Sequence, residues 1–115
     1  MSNKVDYMNF AIVIHYAFED TPRVVALVEI DTYTYNTDRL LDQVWELTNT
    51  KHKDKPWWEN NEVIKIFPKK GCRSTSVGDI IKIDDDFWRV APVGFDKIEG
   101  VPDEWHVATA KLNVS

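Results

Sequence analysis

FAIVIHYAF, Phe10 to Phe18, followed by EDTPR and then VVALVEI, Val24 to Ile30, decides the fold class of this chain. The first run is almost wholly β-branched and aromatic, too short for a typical helix and lacking helical periodicity, so it reads as a central strand. Glu19, Asp20, Thr21 and Pro22 supply turn chemistry, and the second run returns as a strand paired with the first. Glu29 marks where that strand meets water.

Beyond this hairpin, Thr32 to Tyr35 keep β character until Asn36 and Thr37 offer capping side chains. In DRLLDQVWELT, Asp38 to Thr48, the residues Leu40, Leu41, Val44 and Leu47 recur on one helical face while Asp38, Asp42 and Glu46 take the other. This segment is the single helix that the periodicity predicts. Residues 49–61 lose all periodicity and form a long loop carrying Trp57 and Trp58. EVIKIF, Glu62 to Phe67, reads as a third strand. The heptapeptide RSTSVGD, Arg73 to Asp79, then launches IIKID, and FWRVAPV, Phe87 to Val93, returns across the turn Asp84–Asp86. Pro92 is expected at an edge or bulge. Residues 94–103 read as an irregular link, and WHVATAKL, Trp105 to Leu112, alternates like a closing strand. The expected architecture is one α+β domain over residues 1–115, a mostly antiparallel sheet of about five to six strands covered on one face by a single helix. Its other face needs the loop, a curled sheet or a partner, which raises a possible homodimer through an open sheet face or edge.

The 115 residues suffice to bury one core. A lone cysteine, Cys72, excludes an internal disulfide and fits a reducing cytoplasm. No apolar run is long enough for a bilayer, and MSNKVDYMNF lacks the apolar region of a signal peptide, so no membrane partner is expected. The net charge is −5, with a basic island of six lysines against three acids over residues 51–70 inside acidic flanks. That balance disfavours duplex nucleic acid.

Reaction chemistry is sparse. His15, His52 and His106 have no partners at metal-site spacing, and Asp84–Asp86 lack the remainder of a calcium loop, so neither a metal nor a cofactor is implied. Cys72 beside Arg73 has a neighbour that lowers a thiol pKa, but no local base or orienting acid. Ser74, Thr75 and Ser76 lack the glycines of a nucleophile elbow. No catalytic residue is nominated. Two candidate sites remain. Lys53, Lys55, Trp57 and Trp58 mix cations and aromatics, open to three readings: core anchoring, a protein interface, or stacking on single-stranded nucleic acid. Arg73, Ser74, Ser76, Gly78 and Asp79 form a turn that either holds a small anion or satisfies itself, with Arg73 paired to Asp79 or another acid.

The helix ending DQVWELTN, the Trp-bearing loop, GCRSTSVGDII, the acidic turn and FWRVAPVGF together resemble small uncharacterised proteins encoded by bacteriophages of marine bacteria and cyanobacteria. The resemblance covers about residues 36–98. RSTSVGD is also similar to a turn of YodL-like domains in mobile elements. The matching positions are Arg73, Ser74, Ser76, Val77, Gly78, Asp79, Gly94 and Phe95. The resemblance carries no catalytic residues. It implies an accessory protein in the cytoplasm of an infected bacterium that binds and modulates a host protein, with a small-ligand or nucleic-acid domain built on the RSTSVGD turn as the alternative.

Overall fold

The computed structural model describes residues 9–30, 36–49, 55–66 and 72–113. The expected β character at Thr32 to Tyr35 lies outside them. Six strands, β1 (Asn9–His15), β2 (Arg23–Ile30), β3 (Val63–Lys65), β4 (Ile80–Ile83), β5 (Asp86–Val90) and β6 (Phe95–Ile98), form one antiparallel sheet in the order β3-β2-β1-β4-β5-β6. The opening hairpin lies at its centre. β2 carries an extra residue opposite the Val13–Ile14 step, so Val25 has no direct partner in the register.

Among the described residues two α-helices accompany the sheet: α1 (Thr37–Leu47) and α2 (Asp103–Asn113). The Asn36 side chain caps α1 by accepting from the Arg39 amide at 2.9 Å. Leu40, Leu41 and Val44 of α1 join Ala11, Val13, Val28, Ile81 and Ile83 in the larger core. The opposite parity of the strands supplies Ile14, Ile80 and Phe87 to a second core under α2.

α2 corrects the strand expected at Trp105 to Leu112. Trp105 and Ala108, three residues apart, face the sheet together, whereas alternation would have put Val107 inside. Pro102 precedes the helix, and Asp103 and Glu104 favour its positive end. Trp105 stacks edge-on against Phe87 at 5.5 Å, and Glu104 pairs with Arg89 at 3.2 Å. The sheet therefore bears a helix on each face, and the face expected to be open to a partner is occupied by α2. The sixth strand is β6, in the segment read as an irregular link, and Pro92 stands in the turn joining it to β5. No helix among the described residues is long and apolar enough to cross a membrane.

The helical register gives a direct test. Ala108→Asp puts a charge into the core and is expected to cost several kcal/mol. Val107→Asp, on the exposed side, should change stability by no more than about 0.5 kcal/mol in urea denaturation. The opposite ranking would restore the strand.

Candidate functional site

The RSTSVGD turn is organised around the carboxylate of Asp79, which is 0% exposed. One oxygen accepts the backbone N–H groups of Tyr16 and Ala17 at 2.8 and 2.9 Å and the Arg73 guanidinium at 2.9 Å. The other accepts the Ser76 amide at 2.8 Å and a second Arg73 nitrogen at 2.7 Å. Burial pushes the Asp79 pKa up, but the hydrogen bonds from Arg73 and from the amides of Ala17 and Ser76 outweigh it and hold the carboxyl below its ordinary range. Gly78 has a φ of +100°, and a Cβ there would stand 3.1 Å from that of Ala17, so the turn requires glycine on both counts.

Arg73 is equally committed. Besides Asp79, it donates to the Ser74 carbonyl at 3.0 Å and to Glu19 at 3.2 Å. Two carboxylates thus face its charge, which removes the electrostatic reason for a small anion to settle on this turn. Ser74 and Ser76 serve the same closure: the Ser76 hydroxyl donates to the Ser74 carbonyl.

Behind the turn lies a constellation that sequence spacing did not reveal, with His15, Thr75 and Asp79 buried and Cys72 half-buried. His15 Nε2 is 3.0 Å from Thr75 Oγ1 and 3.9 Å from Asp79, while Nδ1 is 3.6 Å from Cys72 Sγ. Burial lowers the His15 pKa to about 4, against the raising effect of Asp79. Burial likewise pushes the Cys72 thiol up to about 11 despite Arg73. At neutral pH the pair is an imidazole and a thiol, the reverse of the ion pair that a cysteine nucleophile requires. With the thiol S–H donating to Nδ1, the ring proton belongs on Nε2, facing Thr75 and Asp79. The hint in the sequence was a histidine alternating within an apolar strand; its partners are 57 to 64 residues away.

The two candidate sites meet at Trp57. Its indole N–H is shared between the carbonyls of Cys72 and Arg73 at 3.2 and 3.1 Å, and the side chain is 1% exposed. Of the three readings open for this segment, core anchoring describes Trp57: a 3-10 turn, Trp57–Glu59, drives it into the core beneath the motif. Trp58 is half-buried edge-on against it at 5.6 Å. Lys55 is exposed, and Lys53 lies outside the described residues. The end of α1 joins the same assembly, because the Thr75 amide donates to the Thr48 carbonyl at 3.0 Å. Asn49 donates to the carbonyls of Trp45 and Thr75, and Thr48 is buried; neither residue stood out in the sequence.

On its outer side, the turn forms one wall of a groove of about 570 Å³. Thr75, Ser76 and Val77 face Trp45 and Asn49 of the α1 end, with Val90 and Phe95 of the last hairpin also lining it. Phe18 stands at the rim with its ring 5.1 Å from the Arg73 guanidinium carbon. Among the described residues no group of three or more His, Cys, Asp or Glu side chains is placed to hold a metal. No family model, curated protein or solved structure matches this chain.

Two consequences can be measured. Asp79→Ala strips the acceptor from three backbone N–H groups and leaves Arg73 without its closest partner, so it should cost about 3 to 5 kcal/mol in denaturant unfolding. For pH, the unfolded chain protonates His15 near 6.5 whereas the folded chain resists until about 4. Stability should therefore be fully present above pH 6.5 and fall by roughly 3 kcal/mol between that value and pH 4. Loss of the Asp79 contribution begins only below its unfolded pKa. His15→Gln should flatten the limb between pH 6.5 and 4 in melts across pH; an unchanged limb would assign it to other groups.

Proposed function

We propose that this chain is a non-enzymatic binding module whose working surface is the groove between the RSTSVGD turn, the end of α1 and the β5–β6 hairpin. The observation that carries the reading is its exposed apolar rim. Phe18 is 74% exposed and Val77 50%, and both line the groove. Apolar side chains concentrated around a concavity mark interaction sites, because exposing them to water is unfavourable unless a partner covers them. A neutral His15, a protonated Cys72 thiol and a mutually satisfied Arg73–Asp79 pair favour binding over catalysis.

The resemblance to bacteriophage accessory proteins supplies the setting: the partner is a protein of the infected bacterium, met in its cytoplasm and modulated by occupation of a surface. The groove is the contact area, and Trp57 acts by holding one wall in place. A second reading, a small apolar ligand in the same groove, is favoured by the volume, which lies within the range of small-molecule sites.

Val77→Asp and Phe18→Ala leave the Asp79 hydrogen bonds untouched, so both variants should remain folded. Each is expected to weaken binding of a partner recovered from bacterial lysate by about 2 kcal/mol or more if it is an anchor, as measured by calorimetry with the purified partner. Undiminished binding by both variants would sink the groove. The small-ligand reading instead expects a compound that stabilises the wild type by about 2.7 kcal/mol at a hundredfold excess over its Kd, with no protein partner.

A further inference from the structure

The groove does not end at its apolar part. Asp42 lines it and also lines a shallower depression of about 320 Å³ on the outer face of α1, shared with Arg39, Gln43 and Glu46. Asp42 therefore borders both the mainly apolar groove and a polar depression on the helix face. The Asp42 side chain is exposed and makes no ion pair or hydrogen bond with any described residue. Asp38 and Glu46, four residues to either side, extend the acidic stripe along α1. The whole chain carries −5, so its field draws cationic partners towards this surface.

Building on the binding reading above, we infer that the occupant is an extended protein segment that places an apolar or aromatic side chain in the groove and an adjacent Lys or Arg over Asp42. The apolar side chain supplies most of the affinity, because the groove removes it from water. The basic residue supplies orientation: a segment entering in reverse sets its cation against Phe18 and Val77 and leaves Asp42 uncompensated. An acidic or purely apolar segment is selected against at the same carboxylate. A nucleic-acid strand is disfavoured by that carboxylate and by the net charge.

The test is selection of displayed random short peptides on the wild-type chain and on Asp42→Lys, a solvent-facing change checked for folding by thermal melt. Wild type should enrich sequences in which an apolar or aromatic residue neighbours Lys or Arg. Asp42→Lys should keep the apolar residue and exchange the basic one for Asp or Glu, with about a fivefold or greater loss of affinity for a wild-type-selected peptide. Enriched peptides without a basic preference, or a preference untouched by Asp42→Lys, overturn the inference and leave the groove standing. Peptides that bind Val77→Asp as well as wild type overturn the groove itself, and no enrichment on the wild-type chain overturns both.

Discussion

A carboxylate without access to water holds the RSTSVGD end of this molecule together. Burying Asp79 as an anion carries a desolvation penalty that only close donors offset, and five of them converge on it: three backbone amides and two guanidinium nitrogens. Those donors come from the exit of β1, from Ser76 and from Arg73. The carboxylate thereby fixes where the central strand stops and where the turn begins. Arg73 transmits the constraint to Glu19, and Trp57 and Thr48 grip the same loop from the core side. The motif is a joint between layers, and its chemistry is consumed in being one.

That joint determines what can lie beside it. Because the turn is tied to β1, to the end of α1 and to β5 through the bond from the Gly78 amide to the Val90 carbonyl, its outer wall is held by three elements. Val77 is pushed outward by the same closure, and Phe18 leans on the guanidinium beneath it. A groove with fixed walls loses little conformational entropy when filled, which suits it to binding.

Much of this was legible in the residues. The runs at Phe10 and Val24 named the central hairpin, the spacing of Leu40, Leu41 and Val44 named α1, and Asn36 named its cap. The mixture of Arg, hydroxyls, Gly and Asp in RSTSVGD marked a hydrogen-bonded turn, open between holding a small anion and satisfying itself. Burial of Asp79 was not legible, since its amide donors Tyr16 and Ala17 are more than sixty residues away. α2 was misread because Trp105, Val107 and Thr109 alternate plausibly, while the helical pair Trp105 and Ala108 is short and Ala carries little weight in an apolar pattern. The Pro102-Asp103-Glu104 start was the better clue. β6 escaped because Phe95 and Ile98 face opposite sides of an edge strand and therefore show no alternation. For the tryptophans, adjacency in sequence indicated that they would diverge, and only packing decided which one went inside.

The central position of β1 also orders events during synthesis. Its partner on one side, β2, follows after a seven-residue connection, but the partner on the other, β4, is joined by the pairing of Ile14 with Ile80. While the chain emerges from the ribosome, the apolar β1–β2 hairpin has the other edge of β1 bare until β4, directly after the RSTSVGD segment, has been made. An edge of that kind invites pairing with other chains. The bonds from the Tyr16 and Ala17 amides to Asp79 can close only when β4 arrives, so the step that builds the groove wall coincides with the step that ends the exposure of this edge.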